Sequence, residues 1–162
     1  MTEQRHNNIV VLVIPGFDSS GKLPPGIHTA TWKQIVTRLG FTAHRKMLLS
    51  GLREALVLLK AAGCRLVYLD GSFVTSKPEP GDFDACWAIE GVNVEELAPV
   101  FLDFSESRAR QKQRFLGEFF PAELPEGATG KTFLAFFQTD KETGKAKGIL
   151  VIDLRRWRHG QE

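Results

Sequence analysis

Apolar residues early in the chain follow helical spacing, and further along they condense into short β-rich runs separated by turn formers. Residues 9–14 are a β-rich run, and residues 15–26, dense in Pro, Gly, Asp and Ser, read as a loop. Trp32, Ile35, Val36 and Leu39 recur at helical spacing behind Thr29 or Thr31 as a cap, with Gly40 as the stop. A longer helix is expected over residues 43–62, with Met47, Leu48, Leu52, Leu56 and Leu59 on one stripe and Gly63 just past its end. Residues 65–70 read as a strand that ends at Gly71-Ser72, and residues 82–89 as a second strand after a loop holding Pro78, Pro80 and Gly81. Residues 94–101 have helical character, and residues 105–120 form a basic stretch expected to be an exposed helix. A Pro- and Gly-rich loop over 121–130 leads through residues 132–138 to a last strand over 148–154. The pattern predicts one α/β or α+β domain over residues 1–162, with a short mixed sheet flanked by helices on one side.

Composition narrows this picture only a little. At 162 residues and 43% apolar content, the chain is long enough for one domain with a real core. A formal charge of +2 gives no blanket attraction to nucleic acid or to an anionic membrane, so a polyanion would have to be bound locally. The apolar run at 9–14 is far shorter than the roughly 20 residues of a membrane span, and a cytoplasmic protein with no membrane contact is expected. Cys64 and Cys86 lack paired ligand spacing and read as small buried apolar residues. None of the four histidines has the spacing of a metal ligand.

The chemistry concentrates around the first two inner strands. Side chains alternate along a strand, so Asp82 and Asp84 point the same way while Phe83, Ala85, Trp87 and Ile89 fill the opposite, buried face. Two neighbouring carboxylates repel, and a hard divalent cation such as Mg²⁺ or Mn²⁺ relieves that repulsion while bridging to phosphate. Gly71 lets backbone approach a ligand closely, and the Ser72 hydroxyl with nearby N–H groups can hold phosphate oxygens. Asp153, the lone acid near the end of an apolar strand, is the candidate third carboxylate; capping a turn or pairing with Arg155 or Arg156 is the other reading. Lys77, in the loop between the two elements, could reach a phosphate or sit in solvent.

The stretch from Leu69-Asp70-Gly71-Ser72 through Lys77-Pro78-Glu79-Pro80-Gly81 to Asp82-Phe83-Asp84 resembles the Gly-Ser, spacer, Asp-x-Asp signature of the DNA polymerase β-like nucleotidyltransferase superfamily. Nine residues lie between Ser72 and Asp82. The wider chain, through Phe119-Phe120-Pro121-Ala122 and Lys147-Gly148-Ile149 to Asp153, is similar to a small bacterial family with this signature. The resemblance implies a minimal nucleotidyltransferase fold. It also implies two metal ions on Asp82, Asp84 and Asp153, with a nucleoside triphosphate on Gly71 and Ser72. By analogy with small members of that superfamily, the acceptor would be a tRNA or a protein, and a cognate partner protein in a toxin-antitoxin or defence pair would be possible.

Other readings weigh against these. The same fold could persist as a catalytically degenerate scaffold that binds a partner protein in the manner of an antitoxin, and an Asp-x-Asp glycosyltransferase would need a larger domain. Gly130-Lys131-Thr132 imitates a phosphate loop, but Pro125 replaces its first glycine and no apolar strand precedes it, so a turn capping the next helix is expected. Arg108, Arg110, Lys112 and Arg114 could meet RNA phosphates or form a solvated face. Trp157 could stack on a base or pack the C-terminal edge.

Overall fold

A computed structural model describes residues 13–158, so most of the apolar run at 9–14 lies outside the described residues. Five strands, β1 (Gly26–Thr29), β2 (Leu66–Asp70), β3 (Phe83–Trp87), β4 (Gly117–Pro121) and β5 (Gly148–Asp153), form one mixed sheet. Their spatial order is β1-β5-β2-β3-β4. The outer pairs, β1 with β5 and β3 with β4, are parallel, while β2 runs antiparallel to both β3 and β5. The expected α+β class with a short mixed sheet is what the chain adopts. The first strand was not expected, since its four residues follow a double proline and only one is apolar enough to signal a strand.

Helix α1 (Trp32–Leu39) starts at Thr31, whose side chain accepts from the Gln34 amide while Gln34 reaches back to the Thr31 amide, a reciprocal capping box. Helix α2 (Ala43–Ala61) buries Leu48, Leu52, Leu56 and Leu59 along the expected stripe, although Met47 stays half exposed. Helix α3 (Ser105–Phe115) ends earlier than the basic stretch implied. Leu116 takes a left-handed backbone and Gly117 begins β4, so Glu118, Phe119 and Phe120 alternate faces as strand residues. Residues 94–101 give turns and a single 3₁₀ turn, Pro99–Leu102, rather than an α-helix.

Alternation along the inner strands sorts side chains onto two sheet faces. Val67, Leu69, Phe83, Ala85, Phe119, Leu150 and Ile152 join the main core with α1, α2 and the end of α3. Cys86 and Phe120 face the other way, into a second cluster with Phe137 of α4 (Phe133–Phe137) and with Tyr68 packed beside it. Helices therefore lie on both faces, with the smaller α4 on the second. Both cysteines are buried, as expected, and are free thiols, and Trp157 packs the C-terminal edge against Trp32 with ring centroids 6.0 Å apart. Among the described residues, no helix is long and apolar enough to cross a membrane.

The first turn of α2 grips the loop that joins β2 to β3. Arg45 is fully buried, and its guanidinium donates to the carbonyls of Leu39, Phe73, Thr75 and Lys77, at 2.6 to 3.1 Å. It also lies 4.2 Å from the Phe41 ring centroid and 5.1 Å from that of Phe73. Burial lowers its pKa to about 10, which leaves it charged at neutral pH. Thr42 Oγ1 donates to the Pro78 carbonyl at 3.0 Å, and His44 Nε2 lies 2.5 Å from the Pro80 carbonyl, a contact that requires its proton on that nitrogen. Replacing Arg45 by Met strands several buried carbonyls, each costly to leave unbonded. Arg45→Met should lower stability in urea denaturation by on the order of 3 kcal/mol, and Arg45→Lys, with no planar fork, should recover only a fraction of it.

Candidate active site

The second face of the sheet carries an acidic row at one end. Asp70 on β2 pairs in register with Asp84 on β3, and Asp84 with Glu118 on β4, so three adjacent strands present carboxylates at the same level. The next level on that face is Tyr68, Cys86 and Phe120. The apolar floor below the acids raises the cost of charging them. Desolvation first, then Asp82, Glu118 and Asp70, push the Asp84 carboxyl up to about 7. Burial likewise raises Asp70, against the pull of Lys147, and raises Asp82, with Glu118 adding to the shift and Lys112 opposing it.

Gly71 sits at the turn between Asp70 and the 3₁₀ turn Ser72–Val74, at φ 78°. A Cβ placed there would lie 2.6 Å from Asp84 Oδ2, so both backbone conformation and the close approach of the carboxylate require glycine. Thr75 Oγ1 donates to the Ser72 carbonyl at 2.6 Å, closing the turn, and no side chain caps its first amides. Gly71, Ser72, Asp70 and Asp84 all line one cavity of about 360 Å³, whose other walls include Lys22, Lys141, Lys147 and Phe137. Lys147 Nζ is 3.4 Å from Asp70 Oδ1, yet neither Asp70 oxygen has an aligned hydrogen bond although both are buried. Lys22 pairs with Asp140 across the cavity.

Three of the six candidate site residues thus meet at this cavity: Gly71, Ser72 and Asp84. Asp82 does not line it but lies on the β4 side of Asp84, within electrostatic reach of Asp84 and Glu118. Asp153 is a correction. It shares the face of the acidic row, but β5 pairs it with Leu66 at the start of β2, four residues, or about 13 Å, from Asp70. There Arg155 donates to it from Nε and Nη2, at 2.9 and 3.0 Å, and Arg156 Nε lies 3.8 Å away. These contacts hold the Asp153 pKa below the usual carboxylate value. Lys77 is also corrected: its side chain is exposed and absent from the cavity wall, while its carbonyl accepts from Arg45.

Asp70 and Glu118 are the residues that sequence reasoning missed. A single acid at the end of an apolar strand, directly before a glycine, was the available signal for Asp70. Glu118 was hidden inside a stretch read as helix, although Leu116-Gly117 breaks that helix and Phe119-Phe120 follow. The Gly130-Lys131-Thr132 segment behaves as the turn expected of it, with Thr132 capping α4 and Lys131 exposed.

The donor set suits a hard divalent cation, since it consists of oxygens alone and leaves both buried Asp70 oxygens without an aligned donor. Among the described residues, no three or more of His, Cys, Asp and Glu are arranged to hold an ion unaided. Mg²⁺ commonly takes one or two carboxylates and completes its shell with water and substrate phosphate, and the row with its open cavity is compatible with that mode.

The chain belongs to the Family of unknown function (DUF6932), whose model matches residues 15–153. No curated protein and no solved structure matches it.

Two measurements probe this geometry. Between about pH 4 and pH 7 the folded protein holds a proton on Asp84 that the unfolded chain has released, so this residue's contribution to stability falls as pH rises through that window. In EDTA, Asp84→Asn should therefore raise the melting temperature more at pH 8 than at pH 5. Gly71→Ala should destabilise the fold by about 2 kcal/mol in chemical denaturation, from backbone strain and the contact with Asp84.

Proposed function

We propose that this chain is a metal-dependent nucleotidyltransferase, moving a nucleoside monophosphate from a nucleoside triphosphate to an acceptor hydroxyl on a tRNA or a protein. The single observation carrying the reading is the packing of Gly71 against Asp84 at the wall of a lysine-lined cavity, level with Asp70 and Glu118. It joins the two halves of the signature that resembles the polymerase β-like superfamily.

In this reading the triphosphate lies over the turn at Gly71, with the Ser72 hydroxyl and the turn amides donating to its oxygens. Lys22, Lys141 and Lys147 line the same cavity and would meet its negative charge. Asp84, with Asp82 or Glu118 beside it, would supply one or two carboxylates to Mg²⁺ or Mn²⁺ while water and phosphate complete the shell, and Glu118 takes the place that the sequence had assigned to Asp153. Cations held there would supply neutralisation of charge at the reacting phosphate and a lower pKa for the attacking hydroxyl. The acceptor oxygen forms a bond to the α-phosphorus, the bond from that phosphorus to the bridging oxygen breaks, and pyrophosphate leaves with that electron pair. Glu118 or Asp84 receives the acceptor's proton. Phe137 and the apolar level at Tyr68, Cys86 and Phe120 limit water beneath the acids.

Incubation with each α-³²P-labelled nucleoside triphosphate, Mg²⁺ and cell lysate should label RNA or protein. Asp84→Ala and Glu118→Gln should each lower the initial rate by about a thousandfold, equivalent to several kcal/mol of lost charge stabilisation, while Asp153→Asn stays near the wild-type rate. Loss of labelling in Asp153→Asn with retention in Glu118→Gln would overturn the assignment of the third acid. Absence of both labelling and Mg²⁺-dependent nucleotide binding would favour the partner-binding scaffold.

A further inference from the structure

Arg108 stands apart from the other cations of its own helix, α3. Lys112 Nζ pairs with Glu118 at 3.0 Å, Arg110 with Asp103 at 2.8 Å and Arg114 with Glu54 at 3.1 Å, so the rest of this basic stretch is occupied. Arg108 makes no hydrogen bond or ion pair among the described residues, and its Nε is buried without a partner. Its guanidinium carbon instead lies 4.0 Å from the Phe120 ring centroid, 5.0 Å from that of Phe104 and 5.8 Å from that of Phe133. Three aromatic faces fix the plane of the fork and leave its donors unused.

The backbone that delivers it is strained. Glu106, Ser107 and Arg108 are consecutive non-glycine residues in the left-handed region, at φ 50°, 54° and 60°. The left-handed region is unfavourable for any residue but glycine, and strain of this kind concentrates where a side chain must be aimed. The fork lies on the β4 side of the row, in the electrostatic field of Glu118 and Asp84, whereas the lysine-lined cavity lies on the β5–β2 side. The acids thus separate two cationic regions, one lined by lysines and the other holding an unpaired arginine.

We propose that Arg108 binds a backbone phosphate of a single-stranded RNA acceptor, with Phe104 as the stacking surface for an adjacent base. The identification as an acceptor rests on the transferase reading; the binding of the strand does not. A planar guanidinium donates two parallel hydrogen bonds to a phosphate, and the Phe104 ring beside it is 41% exposed although aromatic. An acidic peptide would use the fork but has no general need of an exposed ring.

The test measures fluorescence anisotropy of a labelled single-stranded RNA dodecamer with the full chain, in EDTA and without nucleotide, so that metal and triphosphate play no part. Wild type should bind with an affinity that falls as salt rises. Arg108→Lys should weaken binding at least tenfold and Phe104→Leu several-fold, with melting temperatures and Mg²⁺-dependent nucleotide binding kept. No RNA binding by wild type, equal binding by Arg108→Lys, or displacement of the RNA by a poly-glutamate peptide at equal charge concentration would each overturn the proposal. Failure of the transferase reading would appear separately, as no Mg²⁺-dependent nucleotide binding in wild type.

Discussion

A buried guanidinium surrounded by backbone carbonyls sets the geometry on which the acidic row relies. The loop between β2 and β3 is rich in Pro and Gly and pairs with other backbone through the isolated bridge of Thr75 to Lys22, so its carbonyls at Phe73, Thr75 and Lys77 rely on Arg45 as their side-chain donor. Arg45 supplies those donors from a rigid helix, and Thr42 and His44 extend the grip to Pro78 and Pro80. Both ends of the loop are thereby fixed. Gly71 begins it and Asp82 follows it, and the separation between a phosphate-type turn and a carboxylate pair becomes a property of α2 rather than of a free loop. A lysine could not do this, because a single ammonium cannot serve four carbonyls spread around a plane.

The second constraint is electrostatic. Three strands bring Asp70, Asp84 and Glu118 to one level, and Asp82 adds a fourth acid, all above an apolar layer. Burial and mutual repulsion favour the neutral forms, most strongly at Asp84. Lys147 and Lys112 offset the charge only at the two ends of the row, on Asp70 and Glu118. The centre has no such partner, and Gly71 allows the Asp84 carboxylate to press against the turn. A structure with these acids at its centre is stabilised by any cation that reaches them, which connects the cost in the free protein to ligand affinity through the same groups.

What the sequence made legible follows from range. Helices α1 and α2, the β2 and β3 strands and the turn between them are set by local spacing, by the Thr31 cap and by Gly71, and they were found nearly at their observed boundaries. That Asp84, Gly71 and Ser72 meet was legible from a motif confined to 14 residues, whereas Asp82 from the same motif stands off the cavity. Asp153 was misassigned because a strand's pattern gives its facing but not its register: it shares the correct face and stands at the wrong end. Glu118 escaped because a basic helix runs directly into a strand, with the break carried by one left-handed leucine and one glycine. Arg108 was one charge in a run, and only the tertiary contacts separate it from the paired residues around it.

These differences share a cause that bears on how the site divides. Strand β4 lies last in the sheet and joins β3 in parallel, so its acid arrives beside Asp84 only after a connection that includes α3. The same connection must turn sharply to bring α3 back over the sheet, and the left-handed stretch at Glu106, Ser107 and Arg108 is that turn. One topological step therefore delivers both Glu118 and Arg108 to the side of the row opposite the lysine-lined cavity. A triphosphate held by the cavity and an RNA phosphate held by Arg108 would meet across the carboxylates, and since both are anions each adds to the repulsion already centred on Asp84 unless a cation accompanies it. Binding on the two sides should then be mutually unfavourable in the absence of divalent cations and become compatible when a cation sits on the carboxylates between them.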